Sequence, residues 1–493
     1  MLGVTLDPET CYRALVARDR RFDGVFFVAV KTTGIYCRPI CPARTPGRDR
    51  CAFFARAAEA EHAGYRACFR CRPELAPGVA RVDAIGRLVR AAASRIDAGV
   101  LDDASVDELA VGLGVTGRHL RRAMEAELGI SPIAYAQTRR LALAKQLLHD
   151  TTLPLAEVAL GAGFASIRRF NAAFRERFEV APSEVRRAVG VGAGPARSEG
   201  AIALRLDYRP PLDWAWLLSF LGARAVPGVE LVDAERYART VRVGELRGRI
   251  DVTRDARREG ALIATVSLSL LPRLAHVVSR LRALFDLDAE PRTIAEQLGR
   301  DPALAGAVRA RPGLRVPGCF DPFEMMVRAV LGQQVSVRGA TTLAGRLARR
   351  FGSVLPERVE GAPELAFPSA EELSRAHVSA VREIGLPEAR AETLVSLAKA
   401  VATGAVDPAN VAEPEAFVAA LQSLRGIGPW TANYVAMRAL RWPDAFPAGD
   451  LGVQKALGVK TAKAAEDRSR AWQPWRAYAV MHLWTHSPKG ART

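Results

Sequence analysis

The sequence lacks the marks of a membrane-spanning or secreted protein. No apolar run approaches the roughly 18 residues that a helix needs to cross a bilayer. The N-terminus, MLGVTLDPET, has neither a basic n-region nor an apolar h-region. These absences exclude an integral membrane protein and give no signal for secretion.

Acidic residues are too few to balance the basic ones. The chain has 53 Asp+Glu against 70 Lys+Arg, which gives a formal net charge of +17 over 493 residues. The hydrophobic content of 49% excludes a mainly disordered chain, and the length predicts about three to four domains. A positive balance of this size indicates a polyanionic partner, and nucleic acid is the first candidate.

Cysteine is scarce and unevenly distributed, since six of the seven cysteines lie within the first 71 residues. An odd count without a secretory signal argues against a disulfide framework. Two close pairs, Cys37-x3-Cys41 and Cys68-x2-Cys71, have the spacing of a four-thiolate site. Four soft ligands favour one Zn²⁺, with iron as the alternative, and a purely structural site is the simplest interpretation. The two other early cysteines are expected to be ordinary buried thiols: Cys11 and Cys51.

The residues that flank these cysteines indicate the function more specifically than the cysteine spacing does. KTTGIYCRPICPAR at 31–44 and EHAGYRACFRCRPE at 61–74 resemble the N-terminal domain of Ada-type methylphosphotriester-DNA methyltransferases. The resemblance implies that Cys37 is both a zinc ligand and the methyl acceptor. A zinc-bound thiolate stays deprotonated at neutral pH and remains nucleophilic, which suits attack on the methyl carbon of a phosphotriester.

The resemblance also implies DNA contacts from Thr33, Arg44 and Arg66. An arginine that the family carries directly after its second cysteine is Pro42 here, so the resemblance does not imply a phosphate contact at this position. Methylation of one thiolate would lower the negative charge of the site. We therefore expect it to strengthen binding to anionic DNA, as an electrostatic switch.

The next segment is predicted to be helical and to contain the same pattern twice. SVDELAVGLGVTGRHLRRAMEAELGISP at 105–132 and PLAEVALGAGFASIRRFNAAFRERFEVAPSEVRR at 154–187 each place a short turn before an arginine-bearing helix. Ser105 is a predicted helix cap and Gly114 a predicted turn. The pair resembles the AraC-type transcription-factor domain, whose two helix-turn-helix units read successive major grooves. The alternative is a helical bundle with a solvated basic face.

The next segment is Gly-rich. Residues 188–200 read AVGVGAGPARSEG and predict a flexible linker. Alternating stretches at 201–208, 237–243 and 262–270 predict a small antiparallel sheet. From about residue 275 the pattern is helical to the end.

One segment of the second half contains the candidate catalytic residue. It covers residues 424–453 and reads LRGIGPWTANYVAMRALRWPDAFPAGDLGV. Gly426 and Gly428 form a tight hairpin before a helix that starts near Pro429, and its free N–H groups suit a DNA phosphate. With Asp450 in FPAGDLGV, the segment resembles the helix-hairpin-helix glycosylases, most closely AlkA-type 3-methyladenine DNA glycosylases, over about 201–488. The resemblance implies that Asp450 stabilises the cationic sugar formed when an N-glycosidic bond breaks. The alternative is an aspartate that only caps a helix.

Further residues match the AlkA-type pocket. Aromatic side chains at four positions are expected to hold a flipped, N-alkylated base by stacking and cation–π contact: Phe220, Trp430, Tyr434 and Trp484. The family's apolar wedge corresponds to Gln334, beside Gln333, and is therefore polar here. Bifunctional members carry a lysine where this chain has Trp430, which favours a monofunctional hydrolase. The family also implies a monovalent cation at three hairpin carbonyls: Gln422, Leu424 and Ile427.

The expected fold is multidomain, with a small α+β zinc domain, an all-α tandem helix-turn-helix domain, and an α+β antiparallel-sheet subdomain packed with an all-α helix-hairpin-helix glycosylase domain. The expected boundaries are 1–78, 83–187, 188–200 for the linker, 201–288 and 289–493.

We expect a transcriptional activator and repair enzyme of the response to DNA alkylation. It would be cytoplasmic and nucleoid-associated in a bacterium, with double-stranded DNA and RNA polymerase as partners and no membrane. Two alternatives stay open, a DNA-binding regulator with an inactive glycosylase half and a repair glycosylase with a purely structural zinc domain. The family's O6-alkylguanine acceptor motif, Pro-Cys-His-Arg, is absent, since Cys319 lies in VPGCFDPF.

Overall fold

The computed structural model describes residues 7–77, 86–189, 200–409, 411 and 413–486. These residues divide into two compact units, the first within 1–210, 254–279 and 287–289, and the second within 211–253, 280–286 and 290–493. Most of the predicted linker at 188–200 lies outside the described residues, because 190–199 are not among them. No helix in the described ranges has the length and apolarity needed to span a membrane.

The N-terminal segment is the small α+β domain that the sequence predicts. Its helices and strands are α1 Pro8–Val16, β1 Phe27–Val30, β2 Ile35–Cys37, β3 Cys51–Phe54, α2 Ala57–His62 and β4 Arg66–Ala67. The strand order is β3-β1-β2-β4, antiparallel except for the β2–β4 pair. Asp7 accepts the backbone N–H groups of Glu9 and Thr10, so it caps α1 ahead of Pro8 in the first turn.

Residues 86–189 are helical, as predicted. The helices are α3 Arg87–Asp97, α4 Val106–Val111, α5 Gly117–Leu128, α6 Pro132–Asp150, α7 Leu155–Gly161, α8 Ile167–Phe178 and α9 Pro182–Val189. Ser105 and Glu108 form a reciprocal capping box at α4, which confirms the predicted cap. Gly114 has φ +73° between α4 and α5, where a left-handed conformation favours glycine.

The segment from 200 to 289 mixes strands and helices. It contains β5 Ala201–Asp207, α10 Trp214–Gly222, β6 Glu230–Val232, β7 Arg236–Val243, β8 Leu246–Arg254, β9 Ala261–Ser267 and α11 Leu274–Leu284. In the first unit β5 pairs antiparallel with β9, from Ala201 opposite Ser267 to Asp207 opposite Ala261. In the second unit β6, β7 and β8 form an antiparallel meander. The three predicted strands are confirmed, and β6 and β8 are additional.

The rest of the second unit is helical apart from one short hairpin. Its elements are α12 Pro291–Leu298, α13 Pro302–Ala310, α14 Pro322–Leu331, α15 Val337–Phe351, β10 Ser353–Val354, β11 Leu365–Ala366, α16 Ala370–Ser374, α17 Val378–Arg382, α18 Glu388–Ala402, α19 Pro414–Gln422, α20 Pro429–Arg438, α21 Leu451–Leu457, α22 Ala462–Ser469 and α23 Arg476–His486. The expectation of unbroken helical structure is therefore wrong at β10 and β11. Pro356 and Pro363 interrupt helical hydrogen bonding between these strands.

A buried charge cluster connects the N-terminal domain to β5 within the first unit. Arg38 is 1% exposed and donates to both carboxylate oxygens of Asp23. Its Nη1 also donates to Asp207 Oδ2 at 2.9 Å, and the same oxygen accepts from Arg258 Nη2 at 2.8 Å. Because each buried charge has an opposite partner, the cluster fixes the loop that follows Cys37 against β5.

Arg38→Met is expected to destabilise the first unit by about 3–5 kcal/mol, because Asp23 and Asp207 would stay buried without this partner. Urea denaturation together with hydrogen exchange of the β5 amides measures the effect. Arg44→Met, at an exposed position, is the matched control and should change stability by less than about 0.5 kcal/mol. Equal stability of the two variants would contradict the assignment.

Candidate functional site

The four paired cysteines meet in one cluster. Cys37 ends β2, Cys41 follows it in a turn, Cys68 follows β4, and Cys71 lies in the next loop. Their ligand atoms all lie within 4.8 Å of one another. Tetrahedral Zn–S bonds of about 2.3 Å place sulfurs about 3.8 Å apart, so the donor set fits one zinc ion.

The two cysteines outside the pairs are buried, as expected, in a separate core cluster. Cys11 is 3% and Cys51 5% exposed. Burial raises the pKa of Cys11 to about 11. Neither thiol is suited to metal binding or nucleophilic attack.

Cys37 differs from the other three cluster cysteines in access and in hydrogen bonding. Cys37 is partly exposed, whereas the others are buried. The backbone N–H of Arg38 donates to Cys71 Sγ at 3.3 Å, and that of Arg70 donates to Cys68 Sγ at 3.4 Å. No backbone N–H in the described ranges donates to the sulfur of Cys37. Since such hydrogen bonds stabilise a thiolate and reduce its nucleophilicity, Cys37 is the sulfur best placed to react.

The three residues predicted to contact DNA near the cysteine cluster differ in exposure. Thr33, in the turn between β1 and β2, and Arg44 are exposed. Arg66 is half-buried, and its Nη1 lies 3.0 Å from Glu179 Oε2, at the C-terminal end of α8. Arg66 is thus engaged by an acidic side chain of the helical segment in this structure.

The two arginine-bearing helices, α5 and α8, are amphipathic. Each buries a stripe of apolar side chains at helical spacing: Leu120, Met124 and Leu128 in α5, and Phe170, Phe174 and Phe178 in α8. The arginines of these two predicted arginine-bearing helices include six that are exposed: Arg118, Arg121, Arg122, Arg168, Arg169 and Arg175. The arrangement leaves both basic faces available to a duplex.

The hairpin before α20 has the predicted form. Gly426 has φ +89°, and a Cβ there would lie 2.2 Å from Thr393 Oγ1. Gly428 caps α20, is exposed, and has open space where a Cβ would be. No side chain caps the helix, so its first N–H groups are available to a phosphate.

The two glycines give a matched pair of variants. Gly426→Ala should lower the Tm of the second unit and weaken DNA binding, because the alanine needs a left-handed φ and clashes with Thr393. Gly428→Ala should leave the Tm nearly unchanged. Differential scanning calorimetry measures this, and equal losses of Tm in both variants would contradict the hairpin geometry.

The wedge loop between α14 and α15 is attached to this hairpin. Gln334 is exposed and adopts φ +57°, a left-handed conformation that is uncommon for a side chain other than glycine. Gln333 Nε2 donates to the carbonyl of Gly426 at 2.9 Å and to Thr431 Oγ1 at 3.0 Å. The sequence marked Gln334 as the wedge but did not predict the bridge made by Gln333.

Asp450 is both a helix cap and the centre of a hydrogen-bonded site. Its Oδ1 accepts the backbone N–H of Val453 at 2.9 Å, so it caps α21. The same oxygen accepts from Trp484 Nε1 at 3.0 Å, while Oδ2 accepts from Trp430 Nε1 at 2.9 Å. The capping role is therefore real, and the two indoles also fix the carboxylate in one orientation.

All four predicted pocket aromatics lie in one cluster with Asp450. Trp430 stacks on Tyr434 with ring centroids 5.3 Å apart and planes at 6°. Phe220 is parallel to Trp484, with centroids 6.5 Å apart and planes at 11°. Three other tryptophans are buried core residues instead: Trp214, Trp472 and Trp475.

Two arginines contact this aromatic cluster and were not predicted from the sequence. Arg438 Nη1 donates to the Tyr434 hydroxyl at 2.8 Å. The Arg224 guanidinium carbon lies 3.8 Å from the Phe220 ring centroid. Each arginine follows its aromatic partner by four residues. For Tyr434 and Arg438 this i,i+4 spacing on α20 was the available signal, whereas Arg224 lies just beyond the end of α10.

Four family models match consecutive parts of the chain. They are the metal binding domain of Ada (10–74), a helix-turn-helix domain (109–188), the AlkA N-terminal domain (203–321) and the HhH-GPD superfamily of base excision DNA repair proteins (327–472). The cysteine cluster lies within the first match, which together with its geometry indicates Zn²⁺.

Comparison with individual proteins agrees with these matches. A probable bifunctional transcriptional activator/DNA repair enzyme AlkA of Mycobacterium tuberculosis is 40% identical over 488 residues, covering 97% of this chain and 96% of the relative. DNA-3-methyladenine glycosylase 2 of Escherichia coli is 40% identical over 280 residues, covering 57% of this chain and 95% of the relative.

Among solved structures, a 3-methyladenine DNA glycosylase from Archaeoglobus fulgidus has a TM-score of 0.51 at 22% identity. The match covers 57% of this chain and 97% of the other, and it shows a shared fold. Together with the full-length relative and the four family matches, these findings confirm the resemblances noted in the sequence. The chain belongs to the family of bifunctional transcriptional activator/DNA repair enzymes that join an Ada-type zinc domain and a helix-turn-helix domain to an AlkA-type glycosylase.

Proposed function

We propose that the second unit hydrolyses the N-glycosidic bond of alkylated bases such as 3-methyladenine. The observation that carries this proposal is Asp450, held by the indoles of Trp430 and Trp484 beside two further aromatic rings. When the bond breaks, positive charge develops on the deoxyribose, and a fixed carboxylate stabilises it. The electron pair leaves with the base, water adds at C1′, and Asp450 accepts a proton from that water.

The reaction ends at an abasic site. A lyase needs an amine that forms a Schiff base with C1′, and the position that carries this lysine in bifunctional members is Trp430 here. The indole instead donates to Asp450, so the residue serves the hydrolytic carboxylate. We therefore assign a monofunctional glycosylase.

The first unit accepts a methyl group at Cys37. The Cys37 thiolate attacks the methyl carbon of a methylphosphotriester, a C–S bond forms, the C–O bond breaks, and a phosphodiester leaves with the electron pair. A bound zinc ion would keep the four thiols deprotonated at neutral pH. Its partial exposure, and a sulfur to which no backbone N–H of the described residues donates, support Cys37 as the acceptor among the four ligands. The thioether product has no easy reverse reaction, so each chain reacts once.

Methylation is proposed to control transcription. It removes one negative charge from the cysteine cluster, which lowers repulsion from DNA phosphates. Thr33, Arg44 and Arg66 then bind the backbone, and α5 and α8 read the promoter before RNA polymerase is recruited. The expected domain boundaries assign methyl transfer, promoter reading and base release to separate segments. The monovalent cation at the hairpin carbonyls stays a prediction.

Two assays on the full chain test the proposal. Release of free bases from alkylated DNA, followed by chromatography, tests the glycosylase, and a chain that releases none is a regulator with an inactive glycosylase half. Affinity for promoter DNA before and after exposure to methylphosphotriester DNA tests the switch. Unchanged affinity together with an unmethylated Cys37 means a purely structural zinc domain.

A further inference from the structure

A buried carboxylate joins the N-terminal domain to the helical segment that follows it. Glu61 of α2 is 7% exposed and accepts from the hydroxyls of Tyr36 and Thr138, each at 2.7 Å. It also forms an ion pair with the guanidinium of Arg177 on α8. Because Tyr36 precedes Cys37 on β2, this carboxylate connects the strand of the proposed methyl acceptor to helices α6 and α8.

The second connection between these parts is the solvent-accessible ion pair of Arg66 and Glu179. Arg66 Nη1 lies 3.0 Å from Glu179 Oε2, and the two side chains are 34% and 67% exposed. Arg66 begins β4, which pairs with β2 and directly precedes the cluster residue Cys68. Glu179 follows the last turn of α8 with φ +59°. The pair therefore joins the surroundings of the cysteine cluster to the end of a helix that is predicted to read DNA.

The two connections differ in how easily they break. Glu61 is buried, so the loss of a partner would leave a charged or polar group out of water without compensation. The pair of Arg66 and Glu179 contributes little to stability, because water and salt screen both charges. A cleft of about 410 Å³ lies between the two parts, and both residues line it. Arg66 can therefore leave Glu179 by side-chain rotation while Glu61 keeps the two parts together.

Two kinds of anion compete for Arg66. The sequence predicts that it binds a DNA phosphate, whereas the structure pairs it with the carboxylate of Glu179. DNA bound at Thr33, Arg44 and Arg66 brings several phosphates close to the thiolates of the cysteine cluster, whereas Glu179 brings one carboxylate. Loss of one negative charge from the cluster therefore favours the DNA more than it favours Glu179.

We propose that Glu179 is an autoinhibitory residue that occupies Arg66 in the unmethylated chain and is replaced there by a DNA phosphate after methylation of Cys37. The exchange gives the methylated chain one more phosphate contact, in addition to the general loss of repulsion from the cysteine cluster. This inference rests on the proposed methylation switch and deepens it, because it names the contact through which the switch acts.

The test measures the DNA affinity of the full chain before and after methylation, over a series of salt concentrations. The probe is a fluorescein-labelled duplex of fixed sequence without methylphosphotriesters, followed by fluorescence anisotropy, and the methylated chain is prepared beforehand with methylphosphotriester DNA. Glu179→Gln removes the charge and keeps the length of the side chain. Glu176→Gln, at an exposed position one turn earlier on α8, is the matched control. Both are also made together with Arg66→Gln.

Before methylation, Glu179→Gln should bind the duplex about threefold to fivefold more tightly than the wild type, because Arg66 is released to a phosphate. The slope of log affinity against log salt concentration should steepen by about 0.9, the value for one further neutralised phosphate. After methylation the variant and the wild type should bind equally. Glu176→Gln should gain less than about twofold and leave the slope unchanged. With Arg66→Gln present, Glu179→Gln should gain no more than this control.

Two results would overturn the inference and leave the proposed switch intact, provided that methylation still raises the affinity of the wild type. One is an equal gain in Glu179→Gln and Glu176→Gln, and the other is a gain in Glu179→Gln that persists when Arg66→Gln is also present. A wild type whose affinity is the same before and after methylation overturns both the switch and the inference.

Discussion

Asp450→Asn is expected to lower the single-turnover rate of base release by about a thousandfold. The amide is neutral, so it cannot stabilise the positive charge that develops on the sugar, and loss of one such electrostatic group costs about 10²–10³ in rate. The amide NH₂ would also face an indole N–H, because Trp430 and Trp484 both donate to the native carboxylate. Quantifying free 3-methyladenine from methylated DNA measures the effect.

The variant is designed so that loss of the helix cap does not explain the result. Asparagine caps helices about as well as aspartate, so α21 should still start at residue 451. Asp467→Asn, on α22 at a half-exposed position paired with Arg470, is the control and should retain wild-type release. Retained release in Asp450→Asn would remove Asp450 from catalysis and leave it as a cap alone.

Cys37→Ser is expected to abolish methyl uptake from methylphosphotriester DNA. A serine hydroxyl is not deprotonated at neutral pH, and the other three cysteines are buried, two of them with backbone N–H donors. Mass spectrometry of the cysteine peptides after incubation with DNA measures the uptake. Promoter affinity should no longer rise after the incubation.

Cys11→Ala is the control for this second variant, because Cys11 is a buried thiol outside the cluster. It should take up methyl as the wild type does. A methyl group on Cys41, Cys68 or Cys71 in the wild type would show that exposure and hydrogen bonding do not select the acceptor.

Structure and chemistry are most predictable from the sequence where one short segment defines both. The four cysteines converge because each pair is local, and the hairpin at Gly426 and Gly428 leads directly into α20. The flanking sequence FPAGDLGV singles out Asp450. Its two predicted roles, as a helix cap and as a catalytic carboxylate, are compatible in the structure. A carboxylate has enough lone pairs to cap α21 and to accept two indoles.

The missed features depend on distant parts of the chain. Arg38 follows Cys37 in sequence, but its partner Asp207 lies 169 positions away. Arg66 was predicted to bind DNA, and the structure pairs it with Glu179 of the helical segment. Neither partner is marked by spacing or motif, because a side chain's neighbours across a fold are set by tertiary packing. Arg438 could have been found from its i,i+4 spacing to Tyr434 on α20, but only the contacts of Arg224 and Arg438 with the Phe220 ring show that both border the aromatic cluster.

The most direct test of the proposed function follows both chemistries in one incubation of the full chain with DNA methylated on its bases and phosphates. Free bases and protein-bound methyl groups are counted over time against the amount of protein. We expect released bases to exceed the protein many times over, while methyl uptake stops at one per chain and lies on Cys37. Base release that stops at one per chain, or methyl uptake that passes one or never occurs, would contradict the proposed pairing of a catalytic glycosylase with a single-use methyl acceptor.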